Sequence, residues 1–145
     1  MKTIVVSGAH SGVGKTSLAL KLCELIPGAV HVKIGHGSAK DDLRNVFYHV
    51  GTSFKRIVSE NGDADFLVIE SNRILDEVTP DCTIYLTGGA TKPSAALAEE
   101  KADIVRGSHI EQGAVERLCR RLGLPERTVL EIVRLSGAVV RESQG

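Results

Sequence analysis

The sequence predicts an α/β protein: a doubly wound, mostly parallel sheet with helices on both faces, followed by a C-terminal helical hairpin. Two observations predict the sheet. Short, solidly apolar segments alternate with helical patterns along most of the chain, which is typical of a parallel sheet covered on both faces. A glycine-rich loop also joins the first apolar segment to the first helical pattern. The hairpin is predicted from two amphipathic patterns joined by Gly123-Leu124-Pro125.

In the first half of the chain, each predicted strand is a short, β-branched run bounded by turn residues. The first helix is predicted where leucines recur among helix formers, and Pro27-Gly28 ends it. Two more helices are predicted on either side of Gly51. In chain order, these elements are a strand at 2–7, a helix at 15–26, a strand at 29–34, and helices at 41–50 and 52–59.

The second half opens with a turn at Asn61-Gly62-Asp63 and a continuous apolar strand that ends in an acid. The two C-terminal helices carry apolar residues at helical spacing, and we expect residues 141–145 to fray. In chain order, these elements are strands at 65–70 and 82–86, a helix at 94–101, a strand at 103–106, and helices at 113–122 and 126–135.

Composition and charge limit the class of protein. The chain has 145 residues, of which 42% are hydrophobic and 25% charged, as in an ordinary globular domain rather than a disordered chain. No apolar run reaches the roughly 18 residues that a membrane-spanning helix needs. The 18 basic and 18 acidic residues cancel, which argues against a protein that mainly coats nucleic acid or an anionic membrane.

The N-terminus and the cysteines predict a cytoplasmic protein. The first residues lack the charged segment, long apolar stretch and cleavage site of a signal peptide. Cys23, Cys82 and Cys119 are widely spaced and form no Cys-x-x-Cys pair. We therefore expect reduced thiols rather than a disulfide framework or a zinc finger.

The most informative motif is a phosphate-binding loop between the first strand and the first helix. Residues 9–16 fit the pattern [Ala/Gly]-x-x-x-x-Gly-Lys-[Ser/Thr], which predicts a P-loop NTPase-like fold. Glycines at 12 and 14 allow positive φ angles and a close approach of the backbone to phosphate oxygens. The predicted nucleotide-binding residues of this loop are Ala9, His10, Ser11, Gly12, Val13, Gly14, Lys15, Thr16 and Ser17.

Four residues are predicted to act on the phosphates or on Mg²⁺. Lys15 reaches the β- and γ-phosphates and stabilises their charge, and the Thr16 hydroxyl binds the metal. Glu70 ends a buried strand, where an acid would hold Mg²⁺ at the nucleotide edge of the sheet. Asp41 either assists the metal or positions a water, or it completes a helix cap with Ser38.

Other candidates lie near the ends of later strands. Guanine-specific proteins of this class carry Asn/Thr-Lys-x-Asp, but Thr91-Lys92-Pro93-Ser94 lacks the acid, so the choice between GTP and ATP stays open. Lys92 either flanks the base or is an ordinary loop lysine. Lys33 lies near the end of the second strand and His36 follows that strand, where they would bind a phosphorylated ligand or the metal.

The C-terminal part differs from the rest of the chain. We predict a nucleotide-binding domain at 1–110 and a helical tail at 111–145 that packs on this domain or on a partner. The tail resembles a helix-turn-helix, but its six arginines against five glutamates make nucleic acid an unfavourable partner. Its apolar face would serve a homodimer or pack on its own sheet. That face comprises Leu118, Leu122, Leu130 and Val133.

The chain resembles the molybdopterin-guanine dinucleotide biosynthesis protein B family over roughly residues 2–106. The resemblance depends on Ser7-Gly8 through Thr16, Val32-Lys33 with His36, Lys40-Asp41, and Leu67-Val68-Ile69-Glu70-Ser71. It implies a GTP-binding accessory protein in molybdenum-cofactor maturation, dimeric and with weak hydrolysis, whose partners are molybdopterin or a maturation protein. The sequence also looks like the nickel-insertion GTPases of urease and hydrogenase, without their cysteine-histidine metal motifs.

The functional hypothesis is therefore a P-loop protein that binds GTP or ATP with Mg²⁺ and hydrolyses it slowly. One alternative is an ATP-dependent small-molecule kinase, in which Lys33, His36 and Asp41 hold the acceptor. Its lid arginines would come from Arg106, Arg117, Arg120 and Arg121. The other alternative is a nucleotide-sensing regulator that acts through the tail at 111–145.

Overall fold

The computed structural model describes residues 1–10, 12–35, 45–88 and 98–142. Within these residues, six strands form one sheet in the order β3-β2-β4-β1-β5-β6, and every neighbouring pair is parallel. The strands are β1 (Lys2–Gly8), β2 (Ala29–Gly35), β3 (Asn45–His49), β4 (Phe66–Glu70), β5 (Cys82–Leu86) and β6 (Ile104–Val105).

Helices cover both faces of this sheet. They are α1 (Lys15–Leu25), α2 (Phe54–Glu60), α3 (Gln112–Leu122) and α4 (Glu126–Ser136), with a 3-10 turn at Arg73–Asp76. Residues 98–101 are also helical. On one face, α1, α3 and α4 pack on the sheet. On the other face, α2 and the 3-10 turn do so, and the predicted doubly wound α/β fold is confirmed.

Successive side chains of each strand lie on opposite faces of the sheet, so a single strand contributes to both hydrophobic cores. Ile4 and Val6 of β1 belong to the core under α1, whereas Val5 belongs to the opposite core. In β4, Val68 likewise faces α1, while Leu67 faces the other side. Because successive side chains of a strand point to opposite faces, a continuous apolar run is what a sheet buried on both sides requires.

The C-terminal hairpin packs on the chain's own sheet. Gly123 has φ 66° and ends α3 in the left-handed conformation, which glycine adopts without steric cost. Leu118, Leu122 and Val133 are buried in the same core as α1, so they are not available as a dimer surface. Leu130 is exposed.

Two short parallel strands join the ends of this hairpin. They are β7 (His109–Glu111) and β8 (Val139–Arg141), which form a separate two-stranded sheet. Neither strand was expected from the sequence, because each is shorter than a recognisable alternating pattern. The expected fraying at 141–145 is wrong for Arg141, which pairs with Glu111; residues 143–145 lie outside the described residues.

The helix expected at 41–50 is wrong for the residues that the structure describes. Residues 45–49 form the edge strand β3 instead, paired in register with His31–Gly35 of β2. Val46, Phe47 and Tyr48 are β-branched or aromatic, and such residues favour a pleated, half-buried surface. The pairing with β2 therefore outweighs the weak helical pattern of this segment. Residues 41–44 and the first part of the helix expected at 94–101 lie outside the described residues.

None of the helices in the described residues is both long enough and apolar enough to cross a membrane.

Candidate functional site

A cleft of about 690 Å³ opens at the carboxyl ends of β1, β2, β3 and β4. This is the edge where ligands bind in open α/β sheets, and the volume is typical of a small-molecule site. The phosphate loop forms one wall through His10, Gly12, Gly14, Lys15, Thr16 and Ser17. Lys33 and Glu70 also line the cleft, as the sequence led us to expect.

The backbone of the phosphate loop has the conformation that an anion site needs. Gly12 and Gly14 have φ angles of 80° and 108°, a region that side chains with a Cβ rarely adopt. Gly14 is also the N-cap of α1, and no side chain of the described residues caps that helix. Its first turn carries no acidic residue. The positive end of the helix dipole is therefore left for an external anion.

Gly8 allows the loop to fold back closely over the end of β1. A Cβ at this position would lie 2.5 Å from Cγ1 of Val13 and 3.2 Å from Cδ of Lys15. The aliphatic part of Lys15 therefore runs directly over Gly8. Ala9 is fully buried, and its N–H donates to the carbonyl of Leu86 at 3.1 Å. Ala9 thus anchors the loop and does not line the cleft.

Asn72 holds the start of the loop from the neighbouring strand. The Gly8 N–H donates to Oδ1 of Asn72 at 3.0 Å, and Nδ2 of Asn72 donates to the Gly8 carbonyl at 2.9 Å. This double hydrogen bond satisfies both backbone groups of a glycine at a strand end. Sequence reasoning missed Asn72, because an asparagine two residues after a strand has no distinctive pattern.

Thr16 and Glu70 meet at the base of the cleft. The Thr16 hydroxyl donates to Oε1 of Glu70 at 2.7 Å, and the Glu70 carboxylate is 4% exposed. In the part of the chain that the structure describes, no group of three or more histidine, cysteine or acidic side chains forms a metal site. Mg²⁺ suits this arrangement, because it prefers oxygen ligands and usually keeps waters and substrate phosphates beside one or two protein oxygens.

His31 binds Glu70 from the adjacent strand. Lys33 lies opposite Glu70 in the β2–β4 register, so His31, two residues earlier on β2, shares a face with Glu70. Nε2 of His31 pairs with Oε2 of the carboxylate, while Nδ1 is buried and has no partner in the described residues. A lone histidine on a buried strand gave no signal of this role in the sequence.

The pKa of Glu70 reflects these contacts. Burial raises the pKa of the carboxyl, but hydrogen bonds from His31 and Thr16, with the nearby charge of Lys33, outweigh burial and hold it below its usual value. Glu70 is therefore ionised at neutral pH.

Arg106, which directly follows β6, fixes the phosphate loop to the end of β5. Its guanidinium donates to the Val13 carbonyl at 2.8 Å and to the Thr87 carbonyl at 3.1 Å. The Thr87 hydroxyl in turn donates to the Arg106 carbonyl at 3.0 Å. Arg106 also touches the tail, because a Cβ on Gly137 would lie 3.0 Å from its Cγ. One side chain thus joins the phosphate loop, the end of β5 and the end of α4.

We expect Arg106→Ala to loosen the phosphate loop. The change removes two hydrogen bonds from a charged donor, so we expect the free energy of unfolding to fall by about 2 kcal/mol. We also expect nucleotide affinity to fall by about tenfold, because the loop must then be ordered on binding. Chemical denaturation and calorimetric titration would measure the two effects.

Arg121→Ala is the matched control for Arg106→Ala. Arg121 donates to the Asp81 carbonyl at 3.0 Å and pairs with Asp103 at 3.3 Å. Asp81 and Asp103 precede β5 and β6, so this arginine lies at the edge of the sheet opposite the cleft. The Arg121→Ala variant should therefore keep its nucleotide affinity. Equal affinities for Arg106→Ala and Arg121→Ala would show that Arg106 has no role at the phosphate loop.

The other sequence-predicted residues divide into two groups. Of the lid candidates, Arg106 contacts the phosphate loop, whereas Arg121 does not, for the reason just given. Arg117 and Arg120 are exposed on α3, and neither lines the cleft. Four further candidates lie outside the described residues. They are Ser11, His36, Asp41 and Lys92.

Comparison with known proteins adds one similarity of structure. No model of a known protein family matches this chain, and no curated protein matches it. Among solved structures, the chain is similar to the hydrogenase maturation factor HypB from Archaeoglobus fulgidus, with 16% sequence identity and a TM-score of 0.44. The match covers 99% of this chain and 81% of that one.

Proposed function

We propose that this protein binds a nucleoside triphosphate together with Mg²⁺ in the cleft and hydrolyses it slowly, as an accessory protein in cofactor maturation. The observation that carries the nucleotide assignment is the contact between the Thr16 hydroxyl and the Glu70 carboxylate at 2.7 Å, beside the phosphate loop. A loop that binds some other anion has no need of two metal-binding oxygens at its base.

Each part of the site has a role in this reaction. The amides of the phosphate loop and the N-terminus of α1 bind the phosphates, and Lys15 stabilises charge on the β- and γ-phosphates. Thr16 and Glu70 would hold Mg²⁺, which when bound neutralises charge on the phosphate oxygens. Water attacks the γ-phosphorus and the bond to the β-phosphate oxygen breaks, which yields a nucleoside diphosphate and inorganic phosphate.

The maturation role is supported by the pattern of motifs rather than by the geometry. The phosphate loop, Lys33 and the strand that ends in Glu70 resemble the molybdopterin-guanine dinucleotide biosynthesis protein B family. On that ground we propose GTP as the nucleotide, and molybdopterin or a cofactor-maturation protein as the partner, with a homodimer as the working form.

An ATP-dependent small-molecule kinase is the second candidate. It is favoured by one observation, the extension of the cleft beyond the phosphate loop to Lys33 and Arg73. In a kinase this space would hold the acceptor of the γ-phosphate.

Calorimetric titration with non-hydrolysable GTP and ATP analogues tests the proposal. We expect GTP-analogue binding that weakens by about tenfold or more when EDTA replaces Mg²⁺. Binding of neither analogue would contradict a nucleotide function. Tighter binding of the ATP analogue would favour the kinase over the maturation GTPase.

A further inference from the structure

His31 on β2 is a buried polar residue to which the proposed reaction gives no role. It is 1% exposed. Its neighbours Val30 and Val32 belong to the core on the opposite face of the sheet, so the imidazole lies on the face that α1 covers. Its Nδ1 has no partner in the described residues, and a buried nitrogen without a partner costs free energy that an apolar side chain would avoid. Packing alone therefore does not explain a histidine at this position.

The other ring nitrogen of His31 fixes one oxygen of Glu70. Because the Glu70 carboxylate is ionised, it can only accept hydrogen bonds, so Nε2 of His31 carries a proton and donates it to Oε2. The Thr16 hydroxyl donates to Oε1 at 2.7 Å. The two oxygens are thus held from two different elements, β2 and α1, and both contacts set the plane of the carboxylate.

These two contacts differ in their exposure to the cleft. Thr16 and Glu70 both line the cleft, whereas His31 does not. A cation or a water that enters the cleft can therefore compete for the contact with Thr16. Of the two contacts, the one with His31 is protected from such competition.

Lys33 offers the carboxylate an alternative partner. It lies opposite Glu70 in the register of β2 and β4, it lines the cleft, and its charge contributes to the low pKa of Glu70. The terminal torsion of a glutamate is broad and roughly two-fold. Without His31, the Glu70 carboxylate would be free to turn towards the Lys33 ammonium group and away from Thr16.

We propose that His31 is a positioning residue for the metal site. Its Nε2–H holds Oε2 of Glu70, so that Oε1 stays directed towards Thr16, where Mg²⁺ would bind. His31 itself touches neither the metal nor the phosphates. This role rests on the proposed function, because the orientation of Glu70 matters for binding only if the carboxylate holds a metal.

Calorimetric titration over a series of Mg²⁺ concentrations and in EDTA tests this role, with the GTP or ATP analogue that binds more tightly. In His31→Met, an apolar side chain replaces the donor. Hydrogen-bond partners that orient metal-binding side chains change metal affinity by about 10- to 100-fold, so we expect the Mg²⁺ concentration for half of the effect to rise by about tenfold. Affinity in EDTA should stay the same. In His31→Gln, an amide N–H can still donate to Glu70, so most of the Mg²⁺ affinity should return.

Val32→Ala is the matched control, because Val32 adjoins His31 on β2 and is fully buried in the opposite core. It should lower stability without changing the Mg²⁺ requirement. An equal rise of the Mg²⁺ requirement in both variants, or no rise in His31→Met, would overturn the positioning role and leave the proposed function standing. If the unchanged protein bound the analogue equally well with Mg²⁺ and in EDTA, both proposals would fail.

Nitrogen-15 NMR of histidine-labelled protein tests the same contact in the unchanged protein, and so does not depend on the folding of His31→Met. The Nε2–H signal of His31 is identified by its loss in His31→Gln. This signal should persist when Mg²⁺ and the analogue are bound, because His31 still holds Oε2 of Glu70. Loss of the signal on Mg²⁺ binding would show that Glu70 has left His31, which would also overturn the proposal.

Discussion

Replacing Lys15 with alanine is expected to weaken binding of the triphosphate analogue by about 100-fold or more. The aliphatic chain of Lys15 runs over Gly8, and Lys15 lines the cleft as part of the phosphate loop. In the proposed function, the Lys15 ammonium group would contribute a full positive charge against the β- and γ-phosphates. Calorimetric titration would measure the loss of affinity.

Lys21→Ala is the matched control, because Lys21 is an exposed lysine on the same helix, α1. It should leave both nucleotide affinity and stability close to those of the unchanged protein. If Lys15→Ala bound the analogue as tightly as Lys21→Ala does, the phosphate loop would not be the nucleotide site.

Replacing Glu70 with alanine is expected to lower the free energy of unfolding by about 3 kcal/mol. The Glu70 carboxylate is the partner of Nε2 of His31, whose Nδ1 already has no partner in the described residues. Without the carboxylate, a buried imidazole would lose its hydrogen bond, and a cavity would remain beneath α1. Chemical denaturation at pH 7 would measure the difference.

Glu70→Gln distinguishes the two roles of this side chain. Glutamine keeps the size and a hydrogen-bonding oxygen, so we expect a smaller loss of stability than with alanine. It lacks the negative charge for Mg²⁺, so we expect nucleotide hydrolysis to fall by about 100-fold. Hydrolysis at the original rate in Glu70→Gln would show that the metal is held elsewhere.

The contribution of Glu70 to the free energy of unfolding should decrease as the pH is lowered. The pKa of this carboxyl is lower in the folded protein than usual, so ionised Glu70 stabilises the fold above the unfolded-state pKa of about 4.3. That contribution is lost as the pH falls through the lower pKa of the folded state. The difference in unfolding free energy between the unchanged protein and Glu70→Gln should therefore shrink as the pH is lowered below about 4. A constant difference would contradict the low pKa.

The phosphate loop could be located from the sequence because its physics is local. Gly12, Gly14, Lys15 and Thr16 are close in the chain, and a strand followed by a helix places them in one turn. Glu70 was likewise found, because a buried parallel strand that ends in an acid must present it at the same edge of the sheet.

The edge strand β3 shows where local patterns fail. Val46–Tyr48 suit either a helix or a strand on their own, and only the open edge of β2 decides between them. A short apolar segment has no distinguishing periodicity, and backbone pairing with a neighbouring strand contributes more than its weak helical preference.

By itself, the sequence determined the parallel α/β fold, the phosphate loop and the acid that faces it, because each depends on chain order and strand periodicity. Only the tertiary structure decided which side chains support them. Asn72 reaches Gly8 across 64 residues, Arg106 reaches Val13 across 93, and His31 reaches Glu70 across 39. Such contacts form between elements distant in the chain, and their geometry is set by how strands and helices pack.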